Sequence, residues 1–180
     1  MGIELMDWQK RVVYGEEKSL AVPAGARSGK NLAVVYAMKE RRTLVLEANR
    51  KSKRIISRDA INKGIEYPEI DFYSAGLMVE DLSLSLYEQV IVQEMSLKTK
   101  DMSFSEKLYL LLELRKHFTG RIVVIGTPYG LPDPIFEPLI NSHKWPYVQA
   151  STILTNNERT KLKGSLTSKR YDSNYLACFA

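Results

Sequence analysis

Apolar residues along this chain fall into short, almost unbroken runs, separated by longer stretches in which they recur every three or four positions. Leu20-Ala21-Val22 is a short buried-strand candidate that leads directly into a glycine-containing turn. Thr43 to Ala48 reads as a second strand, Ile70 to Tyr73 as a weaker one and Tyr87 to Val92 as a strong one. Arg121 to Ile125 is another, ended by Gly126-Thr127-Pro128, and Tyr147 to Leu154 fits a last strand. Helical spacing predicts a helix over Asn31 to Arg41 with Leu32, Val35, Tyr36 and Met38 on its apolar face. It predicts a second over Arg50 to Lys63 with Ile55, Ile56 and Ile61 inward, and a third over Ser105 to Phe118 with Leu108, Leu111, Leu112 and Leu114 inward. Gly120 is placed to close that third helix. Glu158 to Phe179 reads as a helical tail.

Continuously apolar strands alternating with helices describe an α/β fold: a mostly parallel central sheet with helices on both faces. In such sheets ligands bind beyond the C-terminal strand ends, which directs attention to the residues after Val22, Val92 and Ile125. The length, 180 residues, fits one domain over 1–180. Hydrophobic residues at 44% and charged residues at 26% exclude a disordered or collagen-like chain. A single cysteine, Cys178, and two histidines exclude a disulfide scaffold and a cysteine-based metal site. The longest apolar run, Leu32 to Met38, stops at Lys39, far short of a membrane span. Met1 to Lys10 carries acids and has no apolar core of a signal peptide, so the expected compartment is reducing and intracellular.

The net charge of +5 is unevenly spread. Lys39 to Lys63 holds nine basic residues against three acids, whereas Glu66 to Glu113 holds three lysines against ten acids. Glu158 to Asp172 is basic again, five against two. Arg50, Arg54 and Arg58, at four-residue spacing, share one face of the second helix, with Lys51 beside them. Such a stripe suits a polyanion such as nucleic acid, and it equally suits a solvated helix face.

The turn after the first strand reads Ala24-Gly25-Ala26-Arg27-Ser28-Gly29-Lys30-Asn31 and runs into a helix. This is close to the Walker A phosphate loop, G-x-x-x-x-G-K-[ST], with Ala24 at the first glycine and Asn31 at the final Ser/Thr. A loop of small residues lets backbone N–H groups approach phosphate oxygens, the helix N-terminus adds its positive end, and Lys30 adds a point charge. Val90-Ile91-Val92-Gln93-Glu94 has the form of a Walker B strand, with Gln93 where an aspartate usually holds Mg²⁺ and Glu94 as the general-base candidate. Both positions expected around the metal, Asn31 and Gln93, are therefore neutral amides.

Taken in order, these segments resemble the ATPase domain of the large terminase subunit, the DNA-packaging motor of tailed phages and related viruses. That family belongs to the additional-strand (ASCE) class of P-loop NTPases. Trp8-Gln9 lies ahead of the phosphate loop where the family has an adenine-contacting glutamine, and Gly25 to Lys30 resembles its arginine-containing Walker A. Ile91 to Glu94 falls on Walker B, and Gly126-Thr127-Pro128 on the coupling motif. Trp145, Ser151-Thr152 and Asn156-Asn157 resemble the later strand and loop, and Leu166 to Phe179 the helix near the domain end, with Asn174 where a glutamate is common.

The resemblance implies ATP and Mg²⁺ as cofactors. It assigns catalysis to Glu94, Lys30 and Thr127, and metal contact to Asn31, Gln93 and Glu94. It also implies double-stranded DNA, a homo-oligomeric ring, and portal, capsid and small-terminase components as partners, in the host cytoplasm and away from membranes. The family's arginine ahead of Walker B is absent from Leu82 to Gln89, and the chain stops where its nuclease domain is expected to begin. Arg27 or the Arg50–Arg58 face are candidates for a contact with a neighbouring subunit.

Plainer readings stand beside these. Gln9 fits a solvent-facing residue next to a core Trp8, Thr127 a strand-end turn, and Arg27 a solvated side chain. His117 fits a helix C-terminus, and Cys178 a core residue. For the whole chain, an ATP-hydrolysing packaging motor leads. A nucleotide-binding interaction module with little hydrolysis and a helicase-like ATPase are the alternatives.

Overall fold

The structure is a computed structural model, and it describes residues 4–74, 77–151 and 156–165. In chain order the elements are α1 (Asp7–Tyr14), β1 (Ser19–Pro23), α2 (Lys30–Glu40), β2 (Thr43–Glu47), α3 (Arg50–Asn62) and β3 (Ile70–Phe72). Then come β4 (Gln89–Gln93), α4 (Phe104–His117), β5 (Arg121–Gly126) and α5 (Asn156–Ser165), with short 3-10 turns before β4 and a π-helical turn at Pro138–Ser142.

The five strands form one parallel sheet in the order β1-β5-β4-β2-β3. β5 thus lies between β1, which leads into the loop Ala24–Gly29, and β4, which ends at Gln93-Glu94, so the two candidate chemical segments follow strands that do not touch. Alternate residues of each strand serve opposite layers. Leu20, Val22, Val45, Ile91, Val123 and Ile125 face the layer of α1, α2 and α3. Ala21, Leu44, Leu46, Val90, Val92, Ile122 and Val124 face α4 and the segment around Ile135, Phe136, Leu139 and Trp145. With both faces covered, the middles of β1, β2, β4 and β5 are apolar at every position, and their buried polar residues (Ser19, Thr43, Glu47, Gln89, Gln93 and Arg121) fall at strand ends.

Several expectations shift by a turn or a face. α4 starts at Phe104 because Ser103 caps it: Glu106 N–H donates to Ser103 Oγ at 3.3 Å, and Ser103 N–H donates to Glu106 Oε2 at 2.7 Å. Its inward stripe is Lys107, Leu110, Leu111 and Leu114, leaving Leu108 and Leu112 half-buried. Ile61, expected inside, is 56% exposed at the end of α3. Gly120 is not a helix cap; α4 ends at Phe118, and a Cβ on Gly120 would meet the Glu88 carbonyl oxygen at 2.5 Å. The glycine is there for close approach of chain to chain.

The expected strand over Tyr147 to Leu154 is present as two isolated parallel bridges, Ala21–Tyr147 and Ala24–Ala150, along the free edge of β1. Residues 152–155 of that stretch and 166–179 of the expected helical tail lie outside the described residues. Helix α1 has no counterpart among the helices expected from the sequence: it is only eight residues long, and its buried positions, Gln9, Val12 and Val13, include a polar one. Arg121 holds it to the sheet: this buried guanidinium donates to Val12 O at 2.5 Å, Arg11 O at 2.8 Å and Gln89 Oε1 at 2.7 Å. Among the described residues no helix is long and apolar enough to cross a membrane.

Candidate active site

The C-terminal ends of β1, β5 and β4 open toward one side, and the loop from Ala24 to Gly29 curves over them into α2. Ala24 continues β1: its N–H donates to Gly126 O at 2.8 Å, and Gly25 N–H donates to Ala150 O at 2.7 Å. Positive φ occurs at Arg27 (62°) and Gly29 (91°), and not at Ala24 or Gly25. Alanine at the first glycine position therefore introduces no strain. Gly29 is the residue before α2 and no side chain caps that helix, so its first-turn N–H groups are left without a side-chain acceptor.

Gln9 is only 2% exposed, and Trp8 beside it is half-buried, the reverse of the plain reading. The Gln9 Nε2 donates to Gly29 O at 3.2 Å, and its Oε1 accepts from Met6 N–H at 2.9 Å. Here it braces the exit of the loop. Arg27 is exposed and pairs with Glu158 of α5 at 3.5 Å. Ser28 is buried with its hydroxyl unpartnered.

Lys30, Glu94 and Thr127 meet, although β1 and β4 are not neighbours. Lys30 Nζ lies 3.3 Å from Glu94 Oε1 and donates to Thr127 Oγ1 at 3.0 Å, while Thr127 N–H donates to Glu94 Oε2 at 3.0 Å. The bridge is built by β5, whose end carries Gly126-Thr127. A Cβ at Gly126 would sit 3.0 Å from both the Cα and N of Glu94, so only glycine allows this closeness. Glu94 itself has φ of 55°, sparsely populated for a non-glycine residue, and donates its N–H to Ile125 O at 2.9 Å. The Tyr73 hydroxyl holds the bend from the other side, bonding both Gln93 O and Glu94 O at 3.0 Å. Burial, followed by the charges of Glu94 and Glu47, raises the Tyr73 pKa, so the phenol stays a donor.

A cavity of about 340 Å³ lies over this cluster. It is lined by Arg27, Gly29, Lys30 and Asn31 of the loop, by Gln93 and Glu94 of β4, and by Ser52, Ile55 and Ile56 of α3. Asn31 and Gln93 thus both border the space expected for a metal, as neutral groups. Gln93 is 2% exposed and its Nε2 has no partner. Among the described residues no group of three or more His, Cys, Asp or Glu could hold a metal by itself. The unpartnered Gln93 amide and Ser28 hydroxyl, the uncapped helix and Lys30 fit an anionic ligand that brings a cation with it, rather than a free ion.

The opposite side of α3 carries the basic residues. Asn49 caps the helix, with Oδ1 accepting from Lys51 and Ser52 N–H at 3.0 Å each. Arg50, Lys51, Arg54 and Arg58 are exposed, Arg58 pairing with Asp59 at 3.2 Å. Arg50, Arg54 and Arg58 border a shallow groove with Lys53, Ile61 and Phe72. One helix therefore touches the cavity with one face and presents guanidinium groups on the other.

Two buried acids escaped the sequence reading. Asp133, fully buried, gathers the segment after β5: Oδ1 accepts from Ser96 Oγ and from the N–H groups of Ile135 and Phe136, and Oδ2 from Tyr129 N–H. Its signal was faint, an acid in a proline-rich turn. Glu47 ends β2 and is also fully buried, with no side-chain partner for its carboxyl and only the Ala48 N–H close to it. Burial, reinforced by the Glu94 charge and only partly opposed by the Ala48 amide and Lys30, pushes its pKa up to about 8. Its signal was a single acid closing an otherwise apolar strand.

No protein-family model and no curated protein sequence matches this chain. Among solved structures, the chain is similar to the large terminase of bacteriophage HK97, with a TM-score of 0.67 at 11% sequence identity. The match covers 98% of this chain and 51% of that one, so the chain spans about half the length of the terminase it resembles. At that identity the likeness is one of fold: a five-stranded, all-parallel, P-loop-like sheet flanked by helices.

Proposed function

We propose that this chain is an ATP-binding and ATP-hydrolysing motor domain that drives packaging of double-stranded DNA. The observation that carries the reading is the closed contact of Lys30, Glu94 and Thr127 beneath an uncapped helix N-terminus. The first residue of α2 supplies a phosphate-binding cation, and the ends of β4 and β5 supply a carboxylate able to take a proton from water and a hydroxyl beside both. The fold shared with a phage large terminase supports the packaging role.

The nucleotide phosphates bind along Ala24 to Asn31 and draw the Lys30 ammonium away from Glu94. The freed Glu94 carboxylate then orients water for attack on the terminal phosphate and accepts its proton. Thr127, bonded to both residues, registers whether that phosphate is present and passes the change to β5. Asn31 and Gln93, which line the cavity, would stand beside a Mg²⁺ brought in with the nucleotide, and that ion would supply charge neutralisation on the phosphates. The two faces of α3 give a short route from this site to DNA: Ile55 and Ile56 sense the cavity while Arg50, Lys51, Arg54 and Arg58 meet backbone phosphates without reading sequence. The same reading includes a homo-oligomeric ring, with Arg27 or the α3 face available to a neighbour, and portal, capsid and small-terminase partners.

A second reading, a nucleotide-binding module with little turnover, is favoured by one observation, the neutral amides at Asn31 and Gln93. Steady-state ATP hydrolysis with and without Mg²⁺ and double-stranded DNA, beside a Glu94→Gln control, separates the two. Mg²⁺-dependent turnover that vanishes in the control supports the motor; nucleotide binding with no turnover above the control supports the module.

A further inference from the structure

Glu47 is a buried acid that the site as read so far does not use. It ends β2, the strand beside β4, and the parallel register pairs Leu46 with Val92. One residue further along, Glu47 stands next to Gln93. It is 0% exposed and its carboxyl has no side-chain partner, only the Ala48 N–H close by; Gln93 is 2% exposed and its Nε2 lacks a partner. The charges of Lys30 and Glu94 both reach Glu47, so it lies within the electrostatic field of the catalytic cluster.

An unpaired carboxyl in a packed sheet is unfavourable, and every other position of β2 avoids it: Thr43, Leu44, Val45 and Leu46 are buried without charge. An apolar residue would fill this strand end at lower free energy. The acid stands, moreover, beside the position where the Walker B aspartate has been replaced by an amide. Moving one carboxyl group from β4 to β2 keeps an acid beside the site while changing the strand that delivers it.

We infer that Glu47 supplies, from the neighbouring strand, the carboxylate that the metal-nucleotide site lacks at Gln93. In this role Glu47 acts through Gln93, which lines the cavity: the Glu47 carboxylate holds the Gln93 Nε2 and sets its negative charge behind the amide, leaving Gln93 Oε1 to accept from the water shell of a divalent cation bound with the nucleotide phosphates. Mg²⁺ retains several waters when it binds with phosphates, and those waters are donors that need acceptors. Glu47 stands beside Gln93 on the next strand, and of the two it is Gln93 that lines the cavity. Glu47 is then a positioning residue for the cation, and the inference rests on the ATP-site reading above.

The test compares binding of the fluorescent ADP analogue mant-ADP to the full chain with Mn²⁺ and with EDTA, and counts bound Mn²⁺ by electron paramagnetic resonance. The ratio of the two affinities isolates the cation's contribution. Glu47→Gln is expected to lower that ratio by about tenfold or more while leaving metal-free binding nearly unchanged. The double variant Glu47→Gln/Gln93→Asp, which returns the carboxylate to β4, is expected to restore it. An unchanged ratio in Glu47→Gln overturns the inference and leaves the ATP site standing. A loss of metal-free and metal-dependent binding in equal measure also overturns it, since that is the mark of a structural role. Wild-type protein that binds no nucleotide under either condition overturns both readings together. If Glu47→Gln does not fold, Glu47→Asp, which withdraws the carboxylate by one methylene, must lower the ratio, and an unchanged ratio there overturns the inference.

Discussion

Ionising Glu47 in the ligand-free protein should weaken the fold, and pH is the perturbation that shows it. The unfolded chain titrates this carboxyl near the ordinary 4.5, the folded protein at about 8. Between those values the folded state holds a proton that the unfolded state has released. Stability from this group is therefore full below pH 4.5, declines as pH rises through the interval, and is lost above about 8. At about 1.4 kcal/mol per pH unit, the interval sets a ceiling on the order of 5 kcal/mol. Glu47→Gln has the same shape and no titration, so the difference between variant and wild type isolates this contribution. Urea unfolding from pH 5 to 9, without nucleotide or divalent ions, should give a difference that grows in favour of the variant as pH rises. Glu94→Gln should shrink the growth, because the Glu94 charge is one cause of the raised pKa. A difference that stays flat across the range would refute the reasoning, and would mean that Glu47 has a charged or hydrogen-bonding partner in solution.

Other outcomes follow from the same geometry. Gly126→Ala forces a Cβ to 3.0 Å from the Glu94 backbone and should cost about 1–3 kcal/mol by urea unfolding, with ATP turnover falling alongside. Tyr73→Phe removes the single hydroxyl proton that the Gln93 and Glu94 carbonyls share and should cost about 1 kcal/mol, measured the same way, with turnover reduced more than nucleotide affinity. Arg121→Met removes the buried donor to Val12 O, Arg11 O and Gln89 Oε1; it should cost at least about 2 kcal/mol and raise hydrogen exchange first in α1. Replacing Arg50, Arg54 and Arg58 together by alanine should weaken DNA binding equally for all sequences and reduce its log–log salt slope by roughly 2–3.

The sequence revealed whatever depended on local pattern. Unbroken apolar runs marked the strands because both sheet faces are covered, and Gly29-Lys30 ahead of a helix marked the loop because backbone geometry alone makes it. Ile61 misled because helical spacing continues past the point where α3 still has a neighbour to pack against. Gly120 misled because a glycine after a helix serves two purposes, and only the position of the Glu88 carbonyl decides between them. α1 was silent because Arg121, more than a hundred residues away, fixes it by hydrogen bonds to its carbonyls. The site was legible as separate pieces at three strand ends. That Lys30 and Glu94 touch across an intervening strand depends on strand order, which no spacing along the chain encodes, and Glu47 entered through the same lateral neighbourhood.

The segment 146–150 has a mechanical consequence. It is tied to β1 and the loop by four backbone hydrogen bonds: Ala21 N to Pro146 O, Val148 N to Ala21 O, Ala150 N to Pro23 O and Gly25 N to Ala150 O. Because it runs parallel to β1, tension along it loads these bonds together in shear instead of peeling them one by one. The bond nearest the exit ends on Gly25, inside the loop between β1 and α2. A pull on the chain beyond Ala150 is therefore felt first by the loop that would grip the nucleotide, and tightening that loop stiffens the anchor in return. Load and ligand share one tether.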